Sequence, residues 1–121
     1  MIMKITFLDA ATLGEDIKDI IYDKFGVFGE VTLLNSAAPT DVLKAAADSD
    51  VLVVNKIKIN SETLGANPKV SLVCVAATGF DNIDLEYCKN RKIAVCNVRG
   101  YSTYSVAQIT VAAVLSLTCK M

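Results

Sequence analysis

The 121-residue sequence contains no histidine. Histidine is the commonest general acid–base and the commonest metal ligand in proteins, so any chemistry assigned to these residues must proceed without it. A cysteine nucleophile would likewise lack its usual base. The sequence also has neither a G-x-G-x-x-G nor a G-x-x-x-x-G-K-[ST] motif. These residues therefore carry no dinucleotide-binding fingerprint and no P-loop.

The sequence also lacks a marked excess of either positive or negative charge. The 12 basic and 13 acidic residues leave a net charge of −1, which gives no electrostatic footprint for nucleic acid. No basic amphipathic segment suits a membrane surface. The four cysteines form no C-x-x-C pair, and two of them, Cys74 and Cys96, lie in apolar runs. We therefore expect buried, reduced thiols in a cytoplasmic protein without a secretory leader, rather than a disulfide scaffold or a zinc site.

Apolar residues make up 53% of the chain and follow a regular alternation of strand-like runs and helical segments. The predicted strands cover residues 3–8, 30–34, 50–55, 70–75 and 93–96. The predicted helices cover residues 15–25, a short segment from Pro39, and residues 61–64, 84–90 and 101–121. Continuous apolar strands alternating with helices predict a parallel sheet covered on both faces. We expect a flavodoxin-like, doubly wound α/β fold over residues 1–101, with five strands in the order 2-1-3-4-5.

The last predicted helix, over residues 102–121, is apolar in almost every direction. Its start is expected between Ser102 and Ser105, because Ser105-x-x-Gln108 has the pattern of a capping box. The apolar stretch is short and interrupted by polar residues, so a membrane span is disfavoured. A helix with apolar residues all round needs burial all round. We expect it to link this domain to another, or to mediate homo-oligomer formation.

Ligands of open α/β sheets bind outside the carboxyl ends of the strands. The predicted ends are Asp9, residues 55–56, residues 77–79 and residues 97–100. Gly79 permits a positive φ, which would let successive N–H groups converge on an anion, while Thr78 adds a hydroxyl and Lys56 a positive charge. Together they would hold a small carboxylate. The alternative is an ordinary turn, in which the residues with turn and N-cap roles are Asp81, Asn82 and Asp84.

Three segments resemble the N-terminal part of the D-isomer-specific 2-hydroxyacid dehydrogenases: "VVNKIKINSETL", "AATGFDNIDLEYCKNRKIAVCNV" and "GYSTYSVAQITVAAVLSL". The resemblance is greatest to the hydroxypyruvate reductase (glycerate dehydrogenase) and phosphoglycerate dehydrogenase branches. It implies a two-domain enzyme in which a Rossmann domain for NAD or NADP, absent from these residues, follows the linking helix. Substrate would bind in the cleft between the two domains.

The resemblance also implies roles for individual residues. The substrate-binding residues would be Asn55, Lys56, Gly79 and Phe80, with the amides of the last two holding the substrate carboxylate. The residues next to the nicotinamide would be Thr78 and Val106. The family's catalytic arginine, glutamate and histidine have no counterpart here, so no catalytic residue and no metal ligand is assigned.

The expected function is therefore that of the substrate domain of an NAD(P)-dependent D-2-hydroxyacid dehydrogenase acting on a small 2-keto or 2-hydroxy acid such as hydroxypyruvate. The chain alone would be inactive and would not bind the cofactor tightly. Two alternatives stay open. One is a free-standing carboxylate-binding or regulatory module without catalysis, and the other is a split enzyme whose cofactor domain is a separate chain.

Overall fold

A computed structural model describes residues 2–14, 22–66 and 68–121. Its five strands form one parallel sheet in the order β2-β1-β3-β4-β5. The strands are β1 Met3–Phe7, β2 Gly29–Leu33, β3 Val51–Val54, β4 Leu72–Val75 and β5 Ala94–Asn97. The predicted flavodoxin-like α/β fold and its strand order are confirmed. All five carboxyl ends consequently lie along one edge of the sheet.

Four α-helices connect or follow these strands: α1 Pro39–Asp48, α2 Ser61–Leu64, α3 Leu85–Asn90 and α4 Thr103–Cys119. Two short 3-10 helices, Ala10–Leu13 and Tyr22–Val27, lie between β1 and β2. Most of the helix predicted over residues 15–25 lies outside the described residues. Its final part is 3-10 rather than α-helical. Because a 3-10 helix has three residues per turn, Tyr22 and Phe25 lie on one side of it. Both rings contact Phe7 edge-on, with centroid distances to the Phe7 ring of 4.9 Å for Tyr22 and 5.4 Å for Phe25.

The sheet has one hydrophobic core on each of its faces. On one face, Leu52, Val54 and Val73 are fully buried against α1, α2 and α3. On the other, Ile5 and Phe7 pack with the 3-10 segments. This burial supplies the main driving force for folding, and it fixes which strand ends become neighbours.

The helix α4 differs from its prediction in two respects. It begins within the expected interval, but Ser102 is the N-cap residue and makes no side-chain capping bond. Ser105 is then the third helical residue and cannot act as the cap, so the predicted capping box is wrong. None of the residues of α4 is buried, and Ile109 and Leu117 are 67% and 81% exposed. The apolar surface expected to require a neighbour is thus open to solvent. Of the helices in the described ranges, none is both long and apolar enough to cross a bilayer.

The cysteines are all free thiols, but only Cys88 is buried. Cys74 is half-buried, whereas Cys96 and Cys119 are exposed, so the expectation of buried thiols is wrong for those two. Cys96 lies on the edge strand β5, and Cys119 ends the uncovered helix α4. Within the described residues, no group of three or more cysteine and carboxylate side chains is placed to hold a metal ion.

The ion pairs of the sheet lie at the amino ends of the strands, opposite the candidate site. The ammonium of Lys4 is 2.8 Å from the Asp48 carboxylate, and that of Lys69 is 3.4 Å from Asp50. The hydrogen bond from the Lys4 ammonium, more than its charge, lowers the pKa of Asp48. The hydrogen bond from the Lys4 backbone N–H is the main reason why the pKa of Asp50 is lowered. The first pair joins β1 to the end of α1, and the second joins the segments that precede β4 and β3; we assign them no functional role.

Candidate functional site

Asp9, the second residue after β1, anchors the loop that follows β3. Its side chain is almost completely buried, and its carboxylate accepts the backbone N–H groups of Asn55 at 2.9 Å, Lys56 at 2.6 Å and Ile57 at 3.3 Å. The side-chain amide of Asn55 donates to the hydroxyl of Thr12 at 3.0 Å. A carboxylate with several N–H donors is strongly held, so this loop has a fixed backbone. The contact depends on β1 and β3 being neighbours in the sheet.

Two further asparagine side chains tie the remaining loops of this edge together. Asn82 donates its side-chain amide to the carbonyl of Ile57 at 2.7 Å, which joins the loop after β4 to the loop after β3. Asn97, the last residue of β5, donates to the carbonyl of Thr78 at 2.7 Å. The loop containing residues 78–82 is therefore held from both sides. The site is rigid before any ligand arrives.

These loops surround a shallow depression of about 190 Å³ at the carboxyl edge of the sheet. Its lining residues are Asn55, Lys56, Ala77, Gly79, Asp81 and Asn82. Three of the four predicted substrate-binding residues, Asn55, Lys56 and Gly79, are thus brought together. The side chain of Phe80, the fourth, lines a separate depression with Leu85, Val95, Cys96 and Asn97. Phe80 can contribute to the first depression only through its backbone.

The backbone N–H groups of Gly79 and Phe80 are available to a ligand. Both residues are exposed, and among the described residues neither N–H donates a hydrogen bond. A polar group in a loop this well ordered normally has a partner, either in the protein or in solvent. Two adjacent unpaired donors at the edge of a depression can bind the two oxygens of a carboxylate.

Gly79 does not have the predicted backbone conformation. Its φ is not positive; among the described glycines only Gly65 and Gly100 have that conformation. The expectation of a left-handed glycine is therefore wrong. A Cβ built on Gly79 would lie 3.3 Å from Oδ1 of Asp81, so a side chain at this position would require Asp81 to shift by a few tenths of an ångström.

The depression is lined by one positively charged and one negatively charged side chain. Lys56 has an exposed ammonium that forms no ion pair with the described residues, whereas Asp81 places a carboxylate at the same depression. An anionic ligand is attracted to Lys56 and repelled by Asp81. It would be oriented with its charged end towards Lys56 and the two free N–H groups. The lining residues offer binding and orientation but no histidine for proton transfer.

The two residues predicted next to the nicotinamide are placed differently from each other. Thr78 is exposed and directly precedes Gly79, with its carbonyl held by Asn97. Val106 is 57% exposed in the first turns of α4 and does not line the depression. The clamps made by Asp9, Asn82 and Asn97 were not predicted. Asp9 and Asn97 directly follow predicted strands, which was the available signal, whereas Asn82 was expected only as a turn residue. The partners of Asp9 lie up to 48 residues away.

Residues 6–118 match the family model of the D-isomer specific 2-hydroxyacid dehydrogenase catalytic domain. The chain belongs to this family. It is 30% identical over 118 residues to the hydroxypyruvate reductase of Blautia hydrogenotrophica, an alignment that covers 95% of this chain and 36% of that protein. The resemblance inferred from the three sequence segments is confirmed.

Solved structures of the family have the same fold. The 3-phosphoglycerate dehydrogenase of Entamoeba histolytica with bound NAD+ gives a TM-score of 0.70 at 30% identity, covering 96% of this chain and 39% of that one. The D-lactate dehydrogenase of Aquifex aeolicus, in complex with NAD and lactic acid, gives a TM-score of 0.77 at 25% identity. This match covers 94% of the present chain and 33% of the Aquifex chain. The dehydrogenase-family chain thus spans about a third of the length of these proteins.

Proposed function

We propose that this chain forms the substrate side of the active-site cleft in an NAD(P)-dependent D-2-hydroxyacid dehydrogenase that acts on a small 2-keto acid such as hydroxypyruvate. The observation that carries the proposal is the pair of N–H groups at Gly79 and Phe80 that have no partner among the described residues, together with Lys56, which lines the same depression as Gly79. This arrangement lies at the carboxyl edge of the sheet, where open α/β folds bind ligands. Membership of the family supports the choice of substrate class.

In this proposal the chain orients the substrate and a second domain supplies the redox chemistry. The carboxylate of the keto acid accepts from the N–H groups of Gly79 and Phe80, while Lys56 and Asn55 contact the same end of the molecule. Orientation of this kind contributes several kcal/mol to lowering a barrier. The nicotinamide, when bound, would supply the hydride, and we assign the contacts with it to Thr78 and Val106.

Thr78 and Val106 fit only the nicotinamide end of a dinucleotide. Thr78 offers an exposed hydroxyl and Val106 an exposed apolar side chain, and both suit contacts with a nicotinamide. Residues 1–121 contain no glycine-rich phosphate-binding motif. We therefore assign the phosphates and the adenosine to a Rossmann domain, and we expect no tight binding of NAD or NADP to this chain alone.

The exposed helix α4 is the surface on which we place that second domain. Its apolar side chains face solvent in every direction, with Tyr104 and Leu117 more than 80% exposed. Unpaired apolar surface of this extent favours association. In the absence of a cofactor domain we expect the same helix to pair with a second copy of the chain. The free thiols support the cytoplasm as the compartment.

Lys56→Ala is expected to weaken binding of hydroxypyruvate to the chain about fivefold, because Lys56 is the only lysine among the described residues that line the depression, and its backbone bond to Asp9 stays intact. Lys58→Ala is the matched control. Lys58 is also exposed and lies two residues further on, but it does not line this depression.

The affinities can be compared by ligand-observed NMR titration, with dihydroxyacetone as a ligand of similar size that lacks the carboxylate. We expect Lys58→Ala to bind within twofold of the unmodified chain, and dihydroxyacetone not to bind measurably. Equal weakening by the two lysine substitutions, or equal binding of the two ligands, would show that this depression does not recognise a carboxylate.

A further inference from the structure

Cys74 and Cys96 form a pair of adjacent thiols. They occupy directly paired positions on the neighbouring parallel strands β4 and β5, and their sulfur atoms are 3.5 Å apart. Paired residues of a parallel ladder project from the same face of the sheet. The two thiols therefore share one site on that face, whereas Cys88 lies in the core on the other side.

One member of the pair is accessible and the other is sheltered. Cys96 is exposed on the edge strand, beside the equally exposed Ala94, and Cys74 is half-buried next to it. A reagent in solvent can reach Cys96 first, and Cys74 is then the nearest group with which the modified sulfur can react. This is the arrangement of a redox-sensitive thiol with a resolving partner.

The separation of the two strands allows a covalent bond. Neighbouring strands lie roughly 4.8 Å apart, and this falls within the range of Cα separations that a disulfide spans. Closing the sulfur–sulfur gap requires only rotation of the side chains and a small approach of the edge strand. We propose that Cys74 and Cys96 are a reversible redox pair, which a peroxide closes into an intrachain disulfide and a thiol reductant reopens.

The chemistry balances with hydrogen peroxide as the two-electron oxidant. The Cys96 thiolate attacks one peroxide oxygen, the O–O bond breaks, and a sulfenic acid and a hydroxide form; the hydroxide takes up the proton that the Cys96 thiol released and becomes the first water. The sulfur of Cys74 then attacks the sulfur of Cys96, the S–O bond breaks, and the proton of Cys74 leaves with the hydroxyl as a second water. Two thiols are oxidised and one peroxide is reduced to two waters.

The order of the two steps follows from the environments of the sulfurs. Desolvation, reinforced by the hydrogen bond and the charge of Cys96, raises the pKa of Cys74 to about 12. A protonated Cys74 is a poor nucleophile, because the thiolate is the reactive form of cysteine, so the exposed Cys96 is the sulfur that meets the oxidant first. Once Cys96 is a neutral sulfenic acid, its charge no longer opposes the ionisation of Cys74.

The test uses the 121-residue chain carrying Cys88→Ala and Cys119→Ser, so that only the pair remains. After stoichiometric hydrogen peroxide, alkylation under denaturing conditions and intact mass measurement, we expect both thiols to be lost together, with a mass decrease of two hydrogens. Dithiothreitol should restore both. The single variant Cys119→Ser repeats the test should the removal of Cys88 from the core prevent folding; cleavage after Phe80 and after Lys92 then places Cys74, Cys88 and Cys96 on separate peptides.

Two variants in the same background assign the roles. In Cys74→Ser we expect Cys96 to accumulate as a sulfenic acid that dimedone traps, and then to proceed to sulfinic acid. In Cys96→Ser we expect oxidation of Cys74 to be at least tenfold slower. Thiols that remain fully alkylatable, disulfides only between chains, or sulfinic acid formation at Cys96 that is equally fast with and without Cys74 would each overturn the proposal. This test does not depend on whether the chain binds a keto acid.

Discussion

Replacing Asp9 with alanine lowers the free energy of unfolding by about 3 kcal/mol. The substitution removes the acceptor for the backbone N–H groups of Asn55, Lys56 and Ile57 at a position that is almost completely buried. Donors left unpaired away from water carry their full desolvation cost, which exceeds the value of the hydrogen bonds themselves. A domain of this size has a total stability of about 5–15 kcal/mol, so the change is a large fraction of it.

Urea unfolding followed by circular dichroism measures this change, with the slope of the transition checked for constancy. Asp9→Asn keeps one acceptor oxygen and is expected to fall between the alanine variant and the unmodified chain. Glu86→Gln, on the exposed side of α3, is the control and should shift the free energy of unfolding by no more than about 0.5 kcal/mol. Equal stability of Asp9→Ala and Glu86→Gln would mean that Asp9 does not anchor the loop.

The chain by itself is expected to give no turnover of hydroxypyruvate with NADH or NADPH, a loss of about 10⁶-fold or more relative to a complete enzyme. Its depression orients a keto acid, but residues 1–121 contain no histidine and no dinucleotide fingerprint. The hydride donor would not be held against the substrate, and no residue is assigned to deliver the proton. The reaction then lacks both a positioned hydride donor and a proton donor.

The decrease of NADH absorbance at high chain concentration measures this directly. The hydroxypyruvate reductase of Blautia hydrogenotrophica, a relative of this chain, is the positive control for the assay. A rate that rises in proportion to the chain concentration, and that Lys56→Ala lowers, would contradict the division of labour proposed above. It would place the reacting groups within these residues.

The strands were predictable because the sequence signal of a strand is local. Each strand is a short, mainly apolar run bounded by polar or turn residues, and both faces of a parallel sheet are buried, as the successive residues Val51 and Leu52 of β3 illustrate. The order followed from general rules for doubly wound sheets. The edge carrying the strand ends, and with it the neighbourhood of Lys56 and Gly79, could therefore be located from sequence.

The details within that edge could not be located, because they depend on contacts between distant residues. The carboxylate of Asp9 reaches N–H groups 46 to 48 residues away, and nothing in the local sequence around Asp9 specifies them. The wrong conformation was predicted for Gly79 because glycine permits a positive φ without requiring it, and the loop that contains Gly79 is held by the distant side chain of Asn97. Burial of Cys96 was overestimated for a similar reason. An apolar run does not reveal that its strand lies at the edge of the sheet.

The most direct test is a titration of the ¹⁵N-labelled chain with hydroxypyruvate, followed by the chemical shifts of the backbone amides. If the unpaired N–H groups hold the substrate carboxylate, the amides of Gly79 and Phe80 shift most, saturate together, and do not respond to dihydroxyacetone. The proposal that these N–H groups hold the carboxylate would be contradicted if the two amides did not shift. It would also be contradicted if the shifts were confined to the ion-paired amino ends of the strands around Lys4 and Asp50.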